Sequence, residues 1–329
     1  MTRVAIIGAG LSGLSLANLL GNKVDVTLFE KARGVSGRMS TRRAEPYFFD
    51  HGAQYFTART KPFQNFIQPF INDGFIKRWS ARYARFDDDK IIERKDWEND
   101  EPRYVGMPGM NSFAKALSKQ LNIKLNTRVI SLEKDNKWVL KDAEGCIYEG
   151  FDWVISTAPS PQTSALLPKS FPYLKDIEGI EMRACFSLML GFSRGLSLDF
   201  DAAHVMNADI SWLAVNSNKP GRSNTASLIV HSSEDFAEKN LEKDPLEIQQ
   251  YLCDETSRII STDVSSAQFK AVHRWRYANN VERKTFPVFL DNDANLAACG
   301  DWCLGGRVEN AFVSANNLYE KMKSSLDID

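Results

Sequence analysis

The residues best suited to chemistry open the chain. Gly8-Ala9-Gly10-Leu11-Ser12-Gly13 is a G-x-G-x-x-G, and Glu30 follows twenty-two residues after its first glycine. Gly8 suits a tight turn, Gly10 lets the backbone approach a pyrophosphate, and Gly13 lets a helix pack closely on a strand. A helix starting at Leu11 offers unpaired N–H groups and a partial positive charge to phosphate oxygens. The Glu30 carboxylate accepts hydrogen bonds from ribose hydroxyls and repels a 2′-phosphate. This spacing specifies a dinucleotide without separating NAD from FAD. Two further segments favour the flavin. Lys31 to Ser40 carries two glycines and Arg38, whose planar fork suits a second contact to the pyrophosphate. Ala298-Cys299-Gly300-Asp301-Trp302, followed by Gly305-Gly306-Arg307-Val308-Glu309-Asn310-Ala311, delivers an aspartate at a turn and opens another helix. Asp301 there suits a ribityl hydroxyl, and the helix start suits the electron-rich end of a flavin ring.

These groups need a frame. Arg3 to Ile7 reads as a short buried strand, Leu11 to Leu20 as a helix and Val24 to Phe29 as a second strand, the opening of a parallel sheet. Strands at Leu125–Leu132 and Lys137–Lys141 surround a hairpin turn at Lys134-Asp135-Asn136. Trp153 to Ser156 and Leu296 to Cys299 read as further strands, and Leu246 to Ile260 and Val308 to Met322 as helices. From Ile76 to Arg94, and again from Arg183 to His231, short alternating segments predict a mixed or antiparallel sheet with a solvated or ligand-facing side. The parallel signal lies at both ends of the chain and around residues 105–158. The expected class is α/β (α+β overall), with two interleaved domains. Residues 1–75, 105–160 and 285–329 form the dinucleotide-binding part, and 76–104 and 161–284 the substrate part.

Composition excludes several classes. A length of 329 residues suits two domains. Lys+Arg is 41 and Asp+Glu 42, a net charge of -1 that argues against a nucleic-acid partner. No window approaches the roughly 18 apolar residues of a membrane helix, and Val4–Ile7 is too short for a signal peptide core. Five cysteines without a CxxC pair read as reduced thiols, which points to the cytoplasm. The histidines are scattered singly, so no metal site is expected, and Asp87-Asp88-Asp89 reads as a solvated turn.

Longer segments carry a family resemblance. Gly8-x-Gly10-x-x-Gly13 with Glu30, Ser36-Gly37-Arg38-Met39-Ser40, and Asp50-His51-Gly52-Ala53-Gln54-Tyr55-Phe56-Thr57-Ala58-Arg59 resemble the flavin amine oxidase superfamily. Tyr104-Val105-Gly106-Met107-Pro108-Gly109-Met110, His273-Arg274-Trp275-Arg276-Tyr277 and the Cys299–Ala311 segment narrow this to the bacterial renalase-like proteins. The similarity runs along nearly the whole chain. It implies non-covalent FAD in a Rossmann-like domain of the p-hydroxybenzoate hydroxylase type, beside an interleaved mixed or antiparallel-sheet substrate domain. It also implies a small-molecule substrate, the 2- or 6-dihydro isomers of NAD(P), with hydride passing to FAD and O2 reduced to hydrogen peroxide. By motif match, FAD is expected to touch Gly8, Ala9, Gly10, Leu11, Ser12, Gly13, Glu30, Lys31, Arg38, Met39, Gln54, Tyr55, Val129, Ala158, Gly300, Asp301, Arg307, Val308, Glu309 and Ala311. The substrate is expected to face Tyr55, Phe56, Thr57, Arg59, His273, Trp275 and Trp302. Two departures are visible: the Gly21-Asn22-Lys23 loop is short, and Ser36 stands where the superfamily often has glycine.

A dihydronicotinamide loses hydride to become an aromatic pyridinium. No proton leaves the reacting carbon, so no general base is needed and none is assigned. The site has to stack the ring, exclude water and orient the carbon. Tyr55, Phe56, Trp275, Tyr277 and Trp302 suit such a pocket, although Trp275 and Tyr277 equally suit a core strand. His273 suits a structural role more readily than a substrate contact, Arg59 equally suits an exposed surface, and Cys303 reads as a buried hydrophobe rather than a flavin attachment point. Two alternatives stand beside this reading. One is an FAD-dependent amine oxidase or desaturase-like enzyme with an aromatic cage. The other is a non-catalytic binding protein of the same fold, against which Asp301 and the Arg307–Ala311 helix start speak.

Overall fold

The computed structural model describes residues 1–97, 101–281, 286 and 288–326. The expected division at 284/285 lies outside the described residues. Arg3–Ile7 is the heart of a six-stranded sheet, parallel to Asp25–Phe29 on one side and to Trp153–Ser156 on the other. Asn122–Lys124 and Leu296–Ala298 extend it in parallel, and Phe289–Asp291 closes one edge antiparallel. Val4, Ala5 and Ile6 are fully buried, as both-faced burial of a parallel strand requires. Helix Leu11–Leu20 and the last helix, Val308–Met322, cover one face. Leu14, Leu16 and Leu20 share a core there with Phe312, Ala315 and Leu318.

A seven-stranded sheet takes Arg82–Asp87 and Lys90–Asp96 from the first third of the chain and five strands from between Met182 and Asn280. Ala202–Met206 runs parallel to Arg82–Asp87, and the other pairings are antiparallel. Period-two alternation divides its two faces. Met189, Ile229, Ala214 and Ala202 lie in register and join the core beside the dinucleotide motif. Leu188, Val230, Leu213 and Ala203 point the other way, into a second core with Phe236, Ile248, Leu252 and Ile259 of the helices Glu234–Lys239 and Pro245–Ile260.

Two expectations are corrected. The hairpin expected around Lys134-Asp135-Asn136 forms, but residues 129–151 do not belong to the parallel sheet; Val129–Lys134, Trp138–Asp142 and Ile147–Phe151 make a separate three-stranded antiparallel one. Short turns permit only antiparallel pairing, because a parallel neighbour needs a long crossover. Its first strand starts at Val129 rather than Leu125. Asn126 is left-handed (φ 53°), and the amides of Asn126 and Thr127 donate to the carbonyls of Ala32 and Glu30 at 3.0 and 2.8 Å. Ile76–Arg78 leaves the large sheet and pairs antiparallel with Tyr104–Gly106. Among the described residues, no helix is long and apolar enough to cross a membrane and no metal-ligating cluster occurs.

Candidate cofactor and substrate site

The three motif glycines have different surroundings. Gly8 has φ +110°, and a Cβ there would lie 2.9 Å from Thr157 Oγ1. A Cβ on Gly13 would lie 2.0 Å from the Gly8 carbonyl oxygen, so this glycine is the condition for the helix to sit on the strand. A Cβ on Gly10 would meet nothing within 4 Å. Gly10 also caps the Leu11–Leu20 helix with no side-chain hydrogen bond and no acidic residue in the first turn. The helix therefore presents open N–H groups beside an open backbone face, a cradle for an anion. Glu30 stands next to it. Its two carboxylate oxygens accept the amides of Ala9 at 2.9 Å and Ala32 at 2.8 Å, which fixes the group and leaves each oxygen further acceptor capacity. Ser36 adopts φ +110°, and its amide donates to the Ala9 carbonyl at 2.9 Å. A left-handed residue is required there, which is why glycine suits the position.

The two ends of the chain meet at Arg38. Its guanidinium pairs with the Asp301 carboxylate and donates to the Ala278 carbonyl at 2.9 Å. Strand Leu296–Ala298 delivers Asp301 through an extended Gly300, whose amide donates to Ser314 Oγ at 3.0 Å. Ser12 Oγ lies 3.6 Å from Cys299 Sγ, so the first helix and this turn are in contact. Burial pushes the Cys299 thiol up to about 12 and raises that of Cys303 as well, keeping both protonated.

The seven-stranded sheet brings a polar row to the same region. His273, Ser187, His231 and Trp212 are register partners on four adjacent strands and share one face. The turn from Asp50 to Gln54 lies against them. The His51 ring stacks on Trp275 at 5.2 Å and meets His273 edge-on at 4.9 Å, and Trp275 Nε1 donates to the His51 carbonyl at 2.7 Å. Burial, with His273 beside it, lowers His51 to about 4; burial, with Lys219 nearby, lowers His231 to about 3. Burial also lowers His273. Beyond this row, Tyr55 packs on Trp97 and Trp212 at 5.2 and 5.7 Å, Tyr83 stacks on Trp97 at 5.3 Å, and the Arg103 guanidinium lies 4.1 Å over Trp97.

Beneath the turn is a sealed charge cluster that sequence reasoning missed. Asp50 Oδ1 accepts Thr41 Oγ1 at 2.7 Å and the Met110 amide at 2.9 Å, while Oδ2 pairs with Arg222. Lys219 Nζ donates to Gln54 Oε1 at 3.0 Å and lies 3.6 Å from Asp50 Oδ2. Lys219-Pro220-Gly221-Arg222 reads as a solvated turn, and only the fold reveals that its cations point inward.

One family model, described as NAD(P)-binding Rossmann-like domain, matches residues 6–70, and another, described as flavin containing amine oxidoreductase, matches residues 63–317. The chain belongs to the flavin containing amine oxidoreductase family. It is 22% identical to the renalase of Mus musculus over 303 residues, 84% of this chain and 85% of that one. An L-amino-acid oxidase of Sistrurus catenatus edwardsii shares 34% identity over 85 residues, 25% of this chain and 16% of that protein. In fold, the chain is similar to a protein described as a protoporphyrinogen oxidase from Exiguobacterium sp. 255-15, with TM-score 0.78 and 13% identity over 98% of this chain and 99% of that one. A redesigned double mutant of putrescine oxidase gives TM-score 0.68 and 12% identity over 98% and 99%. The protein is thus a flavin-dependent oxidoreductase with FAD as cofactor, built on a Rossmann-like domain of the p-hydroxybenzoate hydroxylase type interleaved with a mixed-sheet part.

The residues fit FAD at the family's dinucleotide motif, where Gly10 is open and the Leu11–Leu20 helix start is uncapped. Ala9, Leu11 and Ser12 are buried around that turn, Arg307 is the exposed cap of the last helix, and Val308 and Val129 are half-buried. Several expected contacts are redirected. Trp302 does not face substrate: it is 1% exposed, stacks on Phe289 at 5.7 Å and donates Nε1 to the Ala158 carbonyl at 2.9 Å. It binds the Asp301 turn to the Thr157–Ala158 turn instead. Phe56 is core, packed on Phe63, Tyr104 and Phe113. Arg59 is exposed and holds Glu101 with two hydrogen bonds, at 2.6 and 2.8 Å, while Thr57 is half-buried. Glu309 turns its carboxylate to the Arg59 and Thr60 amides, at 3.1 and 2.6 Å, because those N–H groups open the helix Lys61–Asn72 and need an acceptor. Gln54 spends its amide on Lys219 and on the carbonyls of Asp50 and Gly52. Met39 and Ala311 are buried in the core, and Lys31 Nζ bonds Gln162 Oε1 at 3.1 Å on the surface.

Proposed function

We propose that this oxidoreductase oxidises the 2- and 6-dihydro isomers of nicotinamide dinucleotides, with hydride passing to FAD and O2 reduced to hydrogen peroxide. The observation that supports this most is a site lined by groups unable to act as strong bases. His51 and His231 are lowered to about 4 and about 3 by burial, so both are neutral and weakly basic at pH 7. Lys219 has no exposed side-chain surface that a substrate could reach. Such a lining suits a ring carbon that surrenders hydride without losing a proton. FAD supplies the hydride acceptor and the reaction with oxygen.

The chain's own residues hold and orient. Gly10 and the Leu11–Leu20 helix start receive the pyrophosphate, Glu30 receives ribose hydroxyls, and the paired Arg38 and Asp301 close the groove on the ribityl side. Tyr55, Trp212 and Trp275 offer ring faces on which a planar substrate stacks, and His273 offers a hydrogen bond to its carboxamide. The same reading assigns residues 1–75, 105–160 and 285–329 to the FAD part and the remainder to the substrate part. A reducing cytoplasmic setting accords with five free cysteines.

Amine oxidation is the competing reading. One feature disfavours it: the Arg103 guanidinium already lies over the rings of Tyr55 and Trp97, at 5.7 and 4.1 Å. An ammonium drawn to those rings would meet a resident cation. Anaerobic mixing separates the readings. The yellow absorbance should bleach with 2- or 6-dihydro-NAD, ignore amines, and return in air with release of hydrogen peroxide. Bleaching by an amine and not by either isomer would overturn the proposal.

A further inference from the structure

Three charged side chains meet where no solvent reaches. Asp50 and Lys219 have 0% side-chain exposure and Arg222 has 2%. Arg222 directs both Nε and Nη2 to Asp50 Oδ2, and Thr41 and Met110 occupy Oδ1. Lys219 is left with a longer approach to that carboxylate, a neutral amide oxygen on Gln54, and the Trp79 ring 5.3 Å away. One carboxylate between two cations leaves a positive charge without a counter-ion among the described residues. Buried charge is expensive unless compensated. The other titratable group facing Lys219, His231 on the sheet, is neutral and cannot compensate it.

The location of this charge is what gives it a use. Gln54 ends the turn whose Ala53 amide donates to the Arg38 carbonyl at 2.9 Å, and Arg38 is the residue that joins Asp301. The cation therefore lies behind the Asp50–Gln54 turn, which is bonded in turn to Arg38 and through it to Asp301.

We propose that Lys219 is a positioning residue whose buried charge stabilises the negative charge that the flavin ring gains on reduction. This rests on the reading of the groove as the FAD site. Zero exposure rules out direct contact with a ligand, so Lys219 acts through its field and through its grip on Gln54 Oε1. Reduction delivers two electrons and one proton as hydride and leaves one negative charge on the ring; no bond to Lys219 forms or breaks. Burial first, then Arg222, lowers Lys219 to about 7 against the opposing pull of Asp50. A negative charge nearby raises it again, so reduction draws a proton from solvent onto Lys219 above neutral pH.

The test uses FAD-loaded protein and sulfite, which adds to the oxidised ring and leaves it negatively charged. In Lys219→Met, whose apolar side chain fills similar space, the FAD content should match the parent while the sulfite Kd rises at least about tenfold. The reduction equilibrium constant against a reference dye should fall about tenfold as well, equivalent to about 30 mV for a two-electron couple. Gln54→Met, which keeps the Lys219 charge but removes the amide's hydrogen bonds to Lys219 and to the Asp50 and Gly52 carbonyls, should give a smaller change in both. In the parent, the reduction constant should fall with pH more steeply above about pH 7 than in Lys219→Met, by up to one extra proton. Unchanged sulfite affinity and reduction constant in flavin-replete Lys219→Met would overturn the proposal. If that variant does not fold, a parent profile without the extra proton would overturn it. A parent protein that takes up no FAD would instead overturn the reading of the groove, and this proposal with it.

Discussion

The glycine turn and the polar face of the seven-stranded sheet are linked through the Ser36–Arg38 segment and the Asp50–Gln54 turn, yet they are made of different material. The turn is main chain: an open Gly10, an uncapped helix start, and a Glu30 carboxylate held by two amides. Its parts lie within thirty residues of one another. The sheet face is side chain: Trp212, His231 and Trp275 are aligned by strand register, and His51, Trp97 and Lys219 arrive from turns packed beside them. A main-chain site tolerates change wherever its backbone can still adopt the conformation. A side-chain site depends on each residue's charge and packing.

The largest effects should come from the glycines, and they should differ in kind. Gly13→Val places a Cβ against the Gly8 carbonyl, so the folded state should lose about 3 kcal/mol or more, read as a lower urea midpoint. Gly10→Val meets open space in the protein, so it should fold normally and purify colourless because its side chain stands in the pyrophosphate path. Normal flavin content in Gly10→Val would erase the distinction between the packing glycine and the binding glycine.

Glu30→Ala should come next. Hydrogen bonds to a charged group contribute about 1.5–3 kcal/mol each, so the FAD Kd should rise well over tenfold in a dialysis titration. An unchanged Kd would confine Glu30 to its amide partners and leave the ribose unassigned. Arg59→Ala should have the smallest effect. Arg59 and Glu101 form an exposed pair with side-chain exposures of 48% and 36%, so stability should change by less than about 1 kcal/mol. The KM for substrate should not move either. A large rise in KM would return Arg59 to the substrate face.

The sequence made one side of this comparison far more legible than the other. Arg3–Ile7, Leu11–Leu20 and Val308–Met322 form over the residues their periodicity marks, because short apolar strands and 3.6-residue spacing are local signals. Ser36 stood out as a departure from glycine, and its left-handed φ gives the reason. Trp302 and Glu309 sit in matched motifs, but their side chains serve neighbouring turns and helix ends, a choice made by packing rather than by spacing. Lys219 and Arg222 carried no signal at all: a Lys-Pro-Gly-Arg turn looks solvated until Asp50 is found beneath it. The hairpin at Lys134-Asp135-Asn136 was legible from its turn residues, but not that residues 129–151 build a sheet of their own beside the parallel one, because sheet membership is set by packing.

A crystal structure of the protein with FAD bound measures the central claim most directly. The pyrophosphate should cross the open face of Gly10, with the flavin ring between the Asp301 turn and the start of the Val308–Met322 helix. Density that puts the ring out of contact with Asp301, or the pyrophosphate away from Gly10, would contradict the account.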